Sequence, residues 1–546
     1  MSEYGYLLRL PFEPRYMLLT VTLLLTTVFA ALVISSADVD MFLVLPLVAF
    51  AGLSLIGLRD IIQSRHAILR NYPLVAHLRF LFEEIRPEMR QYFFEGEKDG
   101  LPFSRDQRAI VYQRAKSTLD KRPFGTQYDV YQDSYEWLTH SMAPRSVSKE
   151  SLRVLVGGPE CEKPYSSSVL NISGMSFGAL SPNAIRALNK GAALGNFSHT
   201  TGEGSVSCYH REYGGDLVWQ IGSGYFGCRN EHGGFCPDRF AATAGLDQVR
   251  MIEVKLSQGA KPGHGGVLPA AKVSEEIARA RGVPMGADCI SPAKHSAFST
   301  PIELMLFLAE LRRLSGGKPV GLKLCLGHPW EFLALVKAML ETASTPDFIV
   351  VDGKEGGTGA APLEFVDHIG MPLRDGLSFA HNALIGVGLR ERVKLAASGR
   401  IITGFDMARG MALGADWCNA ARGFMFAVGC ILAQACHTDR CPVGVTSQDP
   451  ARWRAIVVPD KAQRVSQFHD ATVKALAELI GAAGLSHPRQ LSPKHFHRRV
   501  SQREFITFAE LYPQLQPGEL LEGTSDPRFR EAWDMARPDR FDQLPA

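Results

Sequence analysis

The sequence predicts an α/β fold in which a (β/α)8 TIM barrel follows an N-terminal transmembrane helical hairpin and precedes a short C-terminal extension. Three observations predict it. Two apolar runs open the chain, short apolar segments alternate with longer helical segments from residue 165, and glycine-rich polar turns follow many of the short segments. The chain has 546 residues, which is enough for a barrel of about 250 residues together with additional regions.

Two uncharged segments near the N-terminus predict a membrane hairpin. Residues 16–34 and 41–58 contain no charged side chain, and each approaches the roughly 20 residues that cross a bilayer as a helix. A cleaved signal peptide is one alternative, because residues 35–37 loosely resemble a cleavage site, but the first run is long and a second follows at once. A buried pair of helices in a soluble domain is the other alternative.

The positive charges around these runs predict their orientation. Arg9 and Arg15 precede the first run, Arg59, Arg65 and Arg70 follow the second, and the connecting turn has no lysine or arginine. Because lysine and arginine accumulate on the cytoplasmic side of membrane proteins, both ends of the hairpin are expected to face the cytoplasm. The large domain that follows would then lie on the cytoplasmic side.

The overall charge gives no indication of a nucleic-acid partner. Lysine and arginine number 59 against 56 aspartate and glutamate, which leaves a formal net charge of +3. Such a balance provides no general attraction to phosphate backbones. The one basic stretch, at residues 489–503, is most simply a solvated surface.

Eight short apolar segments are the candidate strands of the barrel. They lie at residues 168–175, 197–201, 250–256, 284–290, 320–325, 348–352, 393–397 and 416–420. Segments with helical periodicity lie between several of them, at residues 181–194, 273–281, 301–314 and 330–342. Alternating strands and helices predict a parallel sheet, and eight units predict closure into a barrel. A doubly wound open sheet is the alternative.

The same pattern divides the chain into four predicted regions. Residues 1–61 form the anchor, 62–150 a linker or cap, 151–450 the barrel with its cysteine loop, and 451–546 a helical extension. Residues 208–238 are interpreted as an insertion into the barrel. They carry Cys208, Cys228 and Cys236, for which buried structural thiols are the simpler interpretation and a second metal site the alternative.

Glycine-rich polar turns follow the predicted strands. They lie at residues 173–176, 202–204, 258–261, 353–359, 398–400 and 421–423. In a barrel the carboxyl ends of the strands build the active site, and glycine lets the backbone approach a ligand and offer N–H donors. The last two turns follow strands seven and eight, where barrels often bind phosphate, so an arginine there would neutralise a phosphate-bearing ligand.

Three of the ten cysteines lie close together in the chain. Cys430, Cys436 and Cys441 form the pattern C-x5-C-x4-C, and thiolates are the usual ligands of iron–sulfur clusters. Zinc with His437 as fourth ligand is an alternative, although zinc sites more often pair cysteines at closer spacing. Structural thiols are a third. Three sulfurs fit a three-iron cluster, or a four-iron cluster whose last ligand is supplied from elsewhere, with Cys418 as the nearest candidate.

Six motifs carry a resemblance to a known family. They are GMSFGALSP at 174–182, TGEG at 201–204, QGAKPG at 258–263, ISP at 290–292, GGTGA at 356–360 and CHTDRCPVG at 436–444. With these motifs, residues 168–448 resemble the synthase domain of bacterial glutamate synthase. The motifs occur in the order of the family and cover about half of the chain. The resemblance implies FMN and an iron–sulfur cluster, of the 3Fe–4S type, as cofactors, with the cysteine trio as the metal ligands.

The resemblance also implies a reaction and its partners. Ammonia would condense with 2-oxoglutarate to 2-iminoglutarate, and reduced FMN would deliver hydride to form L-glutamate. The protein would thus be an oxidoreductase acting on CH–NH2 donors, in the inner membrane of a bacterial cell. No glutaminase domain, large C-terminal β-helix or dinucleotide-binding G-x-G-x-x-G is recognisable. Ammonia and electrons are therefore expected from outside, the latter from a ferredoxin or a reductase subunit, and association into a homo-oligomer is one option.

The resemblance assigns roles to particular residues. The cofactor-binding set is Met175, Ser176, Gln258, Lys323, Gly356, Gly357, Thr358, Gly399, Arg400 and Arg422. The catalytic set is Glu203, Gln258 and Lys261, and the substrate-binding set is Lys261, His264 and His295. The alternatives are a surface salt bridge for Lys261 and a turn cap for Glu203. His264 stands where the family often has glutamate, and His295 lies in a run that is more neutral in the family.

A second hypothesis keeps the cofactors and changes the reaction. The protein would be a membrane-associated dehydrogenase that oxidises an amino acid or an N-alkyl amino acid and passes electrons to a quinone or ferredoxin. The predicted anchor, the missing glutaminase domain and His264 favour it. A non-catalytic scaffold is the third hypothesis, and the intact glycine, lysine and cysteine motifs argue against it.

Overall fold

A computed structural model of the protein describes residues 10–36, 38, 40–63, 66–96 and 98–542. Arg9 and Arg65, which enter the predicted orientation of the hairpin, lie outside the described residues. The chain divides into two units, Met1–Gly100 and Leu101–Ala546, which are described in turn. The four-region division of the sequence stays a prediction.

Eight parallel strands close into a barrel in the larger unit, which confirms the predicted fold. In chain order they are β1 (Leu170–Ile172), β2 (His199–Thr200), β3 (Leu217–Ile221), β4 (Val249–Lys255), β5 (Val320–Leu324), β6 (Phe348–Asp352), β7 (Lys394–Ser398) and β8 (Trp417–Ala420). Each strand pairs with the next in the chain, and β8 closes the ring by pairing with β1. Strands such as β5 and β6 are buried along their whole length, because helices cover one face and barrel side chains fill the other.

Seven of the eight predicted strands are barrel strands, and one prediction is wrong. Of residues 284–290, only Cys289–Ile290 is extended, and it pairs antiparallel with Val267–Leu268 outside the barrel. Ile290 is 66% exposed, so this apolar run does not contribute to the core. The strand that takes its place is β3, which lies inside the segment interpreted as an insertion. The prediction of an insertion at residues 208–238 is therefore also wrong.

Helices connect the strands and cover the barrel. In the larger unit they are Arg105–Ala115, Pro182–Gly195, Cys208–Arg211, Pro237–Ala244, Glu275–Arg281, Pro301–Leu314, Pro329–Thr342, Leu363–His368, Leu373–Gly386, Gly404–Ala412, Arg422–Val428, Pro450–Trp453, Val458–Ala482, Phe508–Leu511, Glu519–Glu522 and Pro527–Met535. Single 3-10 turns lie at Lys149–Ser151, Ala270–Lys272, Pro488–Gln490 and Pro493–His495. All four predicted helices are present, with ends that differ from the prediction by two residues or fewer in each case.

Local capping explains why several of these helices begin where they do. At Pro301–Leu314, the Thr300 hydroxyl accepts the N–H of Glu303 at 3.1 Å, while the Glu303 carboxylate accepts the N–H of Thr300 at 3.2 Å. Proline occupies the first helical position, where its missing N–H has no intrahelical partner to lose. The residue at which this helix begins therefore follows from its own local sequence.

Short antiparallel elements extend the barrel at both ends of the larger unit. Arg153–Val156 pairs with Tyr165–Ser168 immediately before β1. Glu136–Leu138, Phe496–Arg499 and Phe505–Thr507 form a three-stranded sheet. The predicted cap region and the predicted C-terminal extension thus share one sheet.

The smaller unit contains two long apolar helices, as predicted. Its elements are Leu10–Phe12, Met17–Ser35, Met41–Ile62, Ala67–Asn71, Val75–Met89 and the π-helical turn Arg90–Phe94. The hydroxyls of Thr26 and Ser54 lie 3.1 Å apart between the two long helices, and Phe29 stacks on Phe50 at 5.8 Å. Both helices are long and apolar enough to cross a membrane, and only 11% of each apolar window is buried. By length and composition, they support a membrane anchor.

The contact between Pro182–Gly195 and Val458–Ala482 depends on Gly191. A Cβ at this position would lie 2.5 Å from Cγ1 of Val465 and 2.8 Å from the carbonyl oxygen of Ala462. We expect Gly191→Ala to lower the free energy of unfolding by about 1 kcal/mol, because overpacking of about 1–3 kcal/mol outweighs the gain in helix propensity. Gly410→Ala is the control, since its Cβ would meet Ala397 at 3.6 Å, an ordinary contact. Thermal melts would contradict the packing argument if both variants melted alike.

Candidate active site

The turns after β4 and β6 meet at the carboxyl end of the barrel. The N–H of Gly259 donates to Oδ2 of Asp352 at 2.8 Å, and a Cβ at Gly259 would lie 1.7 Å from the carbonyl oxygen of Gly353. No side chain fits there, so only glycine permits this approach. On the outer side, Nε2 of Gln258 lies 3.5 Å from Oγ1 of Thr358, which joins the predicted cofactor turns.

Glu203 forms an ion pair with Lys255 at the end of β4. Their Oε2 and Nζ atoms lie 3.2 Å apart. The carboxylate is packed against two backbone positions, because a Cβ at Gly222 would lie 2.7 Å from Oε2 and one at Gly266 2.3 Å from Oε1. Burial acts to raise the pKa of Glu203, but Lys255, with smaller contributions from Arg281 and Lys261, lowers it overall. Glu203 is therefore a charged carboxylate rather than only a turn cap.

Lys255 is a site residue that the sequence reasoning missed. Besides Glu203, its Nζ donates to Oε1 of Gln258 at 2.8 Å. Its carbonyl accepts from Nε2 of His295 at 2.9 Å, and Nδ1 of His295 faces the hydroxyl of Tyr225 at 3.1 Å. Burial lowers the pKa of His295, which fits a neutral ring with both nitrogens engaged. The sequence signal for Lys255 is its place at the carboxyl end of a predicted strand.

Lys261 lies with this group, whereas His264 does not. Lys261 is 3% exposed, so the surface salt-bridge alternative does not apply. Burial lowers the pKa of Lys261, and the nearby Glu203 opposes that shift. The ring of His264 is exposed, lies with Nδ1 2.9 Å from the carbonyl oxygen of Gly265, and packs edge-on against Phe365. Of the three predicted substrate residues, Lys261 and His295 thus lie inside the site and His264 lies at its rim.

Buried charges also line the inside of the barrel. Nζ of Lys323 lies 3.5 Å from Oδ1 of Asp352 and 3.4 Å from Oγ of Ser173. On the neighbouring strands, Nε2 of Gln220 donates to Oε1 of Glu253 at 2.5 Å. Burial raises the pKa of Glu253, although Lys323 acts against it. Strand pairing sets Lys323 beside Lys255, so two ammonium groups share the mouth of the barrel.

Arg422 and Arg400 lie at the ends of β8 and β7, as predicted. The guanidinium of Arg422 donates to the carbonyl of Glu355 and lies over the ring of Phe103, at 4.6 Å. Burial, with repulsion from Arg400, lowers the pKa of Arg422 to about 10. A Cβ at Gly357 would lie 2.8 Å from Nε of Arg422, so this glycine leaves the guanidinium room.

The remaining predicted glycines support these turns. Gly399 and Arg400 both have positive φ angles, 152° and 51°, so the chain turns sharply after β7. A Cβ at Gly356 would lie 3.0 Å from the carbonyl oxygen of Gly353, within the turn after β6. The absence of a side chain at Gly356 and Gly399 therefore lets the backbone stay near the site. Arg400 adopts a conformation that is strained for a residue with a side chain.

The turn after β1 contains Met175 and Ser176, and a buried arginine supports it. Nη2 of Arg281 donates to the carbonyl of Phe177 at 3.0 Å and to Oγ of Ser176 at 3.4 Å. Met175 is buried, and a Cβ at Gly202 would lie 2.4 Å from the nitrogen of Ser176. Arg281 was not predicted, because its helix carries no motif and the contact spans about a hundred residues.

The three clustered cysteines share one loop after β8. Burial raises the pKa of Cys430 to about 12, and Cys436 and Cys441 add to that shift. Burial also acts to raise the pKa of Cys441, but the Thr446 hydroxyl and neighbouring backbone N–H groups lower it overall. The ammonium of Lys272 donates to the carbonyls of Cys436 and Thr446 at 2.7 and 2.6 Å. Burial also raises the pKa of Cys436, so of the three thiols it is Cys441 whose surroundings favour thiolate.

Metal ligation by this loop stays a prediction. Within residues 10–36, 38, 40–63, 66–96 and 98–542, no group of three His, Cys, Asp or Glu side chains is arranged to hold a metal ion. Cys418 is buried in β8 against the helix Gly404–Ala412, with its sulfur 3.7 Å from where a Cβ of Gly410 would lie. Its charged neighbours are Asp406 and Arg409, and Cys418 as a candidate fourth ligand stays a prediction.

Of the three cysteines around β3, Cys228 is buried and Cys236 is partly buried, whereas Cys208 is not buried, contrary to the prediction. The N–H of Cys236 donates to the carbonyl of buried Cys228 at 2.8 Å. Cys208 is exposed, with its sulfur 3.5 Å from Oε1 of Glu276. The part of the chain that the structure describes thus offers no second metal site among them.

Comparison with known proteins identifies the family. A model of the conserved region in glutamate synthase matches residues 126–486. The chain belongs to the glutamate synthase family. The glutamate synthase large subunit-like protein YerD of Bacillus subtilis is 36% identical over 515 residues, covering 86% of this chain and 96% of that protein. Family membership supports an oxidoreductase with small-molecule substrates and an electron partner.

More distant family members match part of their own length. The archaeal glutamate synthase (NADPH) of Methanocaldococcus jannaschii is 34% identical over 316 residues, 58% of this chain and 59% of that protein. The chain thus spans about three fifths of this relative. Among solved structures, a mandelate oxidase mutant with a monooxide FMN adduct aligns at 14% identity and a TM-score of 0.39, covering 78% of this chain and 99% of that chain. A TM-score of 0.39 is too low for this similarity to support a conclusion about function.

The Glu203–Lys255 pair generates a pH-dependent prediction. In the wild type, the lowered pKa of Glu203 contributes stability above its ordinary value of 4.5, and this stability is lost as pH falls through the lower folded value. Lys255→Met should reverse the shift and raise the pKa of Glu203, because burial is its largest influence. We expect the variant to lose about 2 kcal/mol at pH 7, after allowance for partial exposure, and to recover part of this as the pH falls below about 5.

The free energy of unfolding of wild type and of Lys255→Met, measured between about pH 4 and about pH 8, tests this prediction, because this range includes much of the titration of a carboxylate. Lys294→Met is the control, since Lys294 is exposed and its replacement removes the same charge from the surface. Parallel pH profiles for wild type and Lys255→Met would contradict the role given to the ion pair.

Proposed function

We propose that this protein is an FMN- and iron–sulfur-dependent oxidoreductase that reductively aminates 2-oxoglutarate, through 2-iminoglutarate, to L-glutamate. The single observation that carries the proposal is the group at the barrel mouth formed by buried Lys261 and half-buried Glu203 and Lys255. It combines a charged carboxylate with two ammonium groups, in a member of the glutamate synthase family. A dicarboxylate substrate and a proton-exchanging amination both require such a combination.

The residues at the strand ends fit FMN. Arg400 and Arg422 repel each other across the turns after β7 and β8, and a phosphate between them would remove that repulsion. Gly357 leaves room beside Arg422, and Lys323 could stabilise negative charge on a reduced flavin ring. When bound, FMN would supply hydride transfer, which no side chain can perform.

The lysines are suited to hold the substrate. Lys255 and Lys261 would pair with carboxylates of 2-oxoglutarate, and Gln258 would orient them because it already accepts from Lys255 at 2.8 Å. His295 acts as a positioning residue, since its Nε2 bonds the Lys255 carbonyl at 2.9 Å. His264, at the rim, would meet a substrate as it enters.

Glu203 is suited to move the proton. Its lowered pKa keeps Oε1 and Oε2 unprotonated, so it can accept a proton from ammonium to release ammonia. After ammonia adds to the keto carbon, the same carboxyl can return the proton to the departing hydroxyl, which leaves as water. The proton count then balances, and Lys255 stabilises the carboxylate at the start and end of this sequence.

The cysteine loop has a donor set that suits an iron–sulfur cluster. The N–H of Leu432 donates to Sγ of Cys430 at 3.4 Å, and N–H groups around Cys441 lower its pKa. Such hydrogen bonds to sulfur stabilise thiolate and tune cluster potential. Cys430, Cys436 and Cys441 would hold the cluster, which would supply electron transfer between the flavin and an external carrier.

The two apolar helices support a location at the membrane. We propose that they span the bacterial inner membrane as a hairpin, with the barrel on the cytoplasmic side. The same feature favours the second candidate function, a dehydrogenase for an amino acid or N-alkyl amino acid that passes electrons to a quinone or ferredoxin. Ferredoxin, a reductase subunit or a quinone would then be the partner, and nucleic acid would not.

The proposal predicts glutamate formation by the purified full-length protein. It should carry FMN, released by acid, and convert 2-oxoglutarate and ammonium to L-glutamate with reduced methyl viologen as the electron source. We expect Arg400→Ala to weaken FMN binding by about tenfold, since it removes one charged contact to phosphate. Arg489→Ala, at another exposed arginine, is the control.

Two results separate the candidate functions. Bleaching of the flavin by an amino acid under anaerobic conditions, with no amination of 2-oxoglutarate, would contradict the synthase and favour the dehydrogenase. Absence of flavin from protein that melts cooperatively would contradict both.

The cysteine assignment predicts a selective loss of iron. Wild-type protein purified without oxygen should contain iron and acid-labile sulfide, whereas Cys436→Ala and Cys441→Ala should lose both and keep FMN, because the flavin residues lie on other turns. Cys208→Ala, at an exposed cysteine away from the loop, should retain iron. Iron retained in both loop variants would exclude the trio as the ligand set.

A further inference from the structure

The helix Val75–Met89 exposes a continuous apolar face. Val75, Leu78, Phe82, Ile85 and Met89 follow one another at spacings of three and four residues, so they lie along one side of the helix. They are 43%, 54%, 62%, 38% and 39% exposed, respectively. A contiguous apolar patch of this kind is unfavourable in water and marks a contact surface.

Charged residues border this face without entering it. Helical geometry puts Arg79 and Arg86 along one edge and Glu84 and Glu88 towards the other. Arg79 pairs with Glu83 at 2.9 Å, and both side chains are more than half exposed. An apolar side with polar edges and a basic flank is typical of helices that lie in a membrane interface.

The start of the helix is tied to the end of the second apolar helix. Asp60 is 2% exposed, accepts the N–H of Leu74 at 3.0 Å, and pairs with Nε2 of His77 at 2.9 Å. The helix Met41–Ile62 is about 33 Å long, close to the ~30 Å thickness of a hydrocarbon core. If this helix spans the bilayer, Asp60 lies at its surface, and the apolar face begins at the same depth.

We infer that the helix Val75–Met89 lies in the plane of the membrane, with its apolar face among the upper acyl chains and its arginines near lipid phosphates. The inference rests on the membrane anchor of the proposed function and adds a second lipid contact to it. The connection through Asp60 favours lipid over a second copy of the chain as the occupant, because it holds the exposed face at bilayer depth.

Quenching by brominated lipids tests this orientation in the full-length protein. Phe82→Trp and Met89→Trp put a probe in the middle and at the far end of the face, and Glu84→Trp puts one on the polar side. The variants are reconstituted in vesicles of phosphatidylcholine and phosphatidylglycerol, with bromine near the headgroup end of the chains. The signal of the six native tryptophans is measured in the parent protein and subtracted.

We expect Phe82→Trp and Met89→Trp to be quenched at least about twofold more than Glu84→Trp. All three variants should melt with the parent, so that loss of folding is detected separately. Equal quenching at Met89→Trp and Glu84→Trp would overturn the inference, because the helix would then project away from the bilayer.

Flotation with the vesicles tests the membrane anchor separately from the in-plane helix. Protein that fails to float lacks the proposed anchor, and the in-plane helix is overturned with it. Protein that floats but shows no difference between the two sides of the helix keeps the anchor and overturns the in-plane helix alone. Weak quenching at Phe82→Trp that falls further with protein concentration would assign the face to a second copy.

Discussion

The close approach of two turns at Gly259 is the constraint on which the site depends. The Gly353 carbonyl would lie 1.7 Å from a Cβ there, so the turn after β4 can rest on the turn after β6 only if residue 259 is glycine. Asp352 fixes the contact by accepting the Gly259 N–H, and its other oxygen pairs with Lys323. One carboxylate therefore couples the backbone at the rim to a cation inside the barrel.

The second constraint is electrostatic, because the barrel mouth gathers several cations. Lys261, Arg281 and Lys323 are buried, Lys255 and Arg422 are half-buried, and Arg400 is exposed. The carboxylates among them are Glu203, Glu253, Asp352 and Glu355. Holding like charges together away from water is unfavourable unless anions accompany them. The pKa shifts agree with this, because burial lowers the pKa of both Lys261 and Arg422 and so disfavours their charged forms. A phosphate and a dicarboxylate are the kinds of anion that would restore the balance.

The sequence predicts the barrel and most of its rim because both follow from local patterns. Strand-end glycines and capped helix starts are local, and so the positions of Arg400 and Arg422 at strand ends could be anticipated, whereas Glu203 is assigned through the family resemblance. Strand β3 could not, since its five buried residues lie in a cysteine- and glycine-rich segment that imitates an insertion. Lys255 and Arg281 carry no motif of their own, and their roles arise from contacts made across strands. The same holds for Cys418, whose packing against the helix Gly404–Ala412 its place in the sequence does not reveal.

Under the proposed function, the same site would serve synthesis and oxidation of an amino acid, because one direction is the reverse of the other. In synthesis Glu203 would accept a proton from ammonium and return it to the departing hydroxyl. In oxidation it would accept a proton from the attacking water and give it to the departing ammonia, with Lys255 stabilising the same carboxylate. The direction is then set by the electron carrier, since for a two-electron couple about 30 mV changes the equilibrium tenfold. Under the proposed function, a low-potential ferredoxin would drive amination, and a quinone would drive oxidation. The proposed membrane anchor would then matter for the chemistry, because it would decide which carrier the proposed flavin meets.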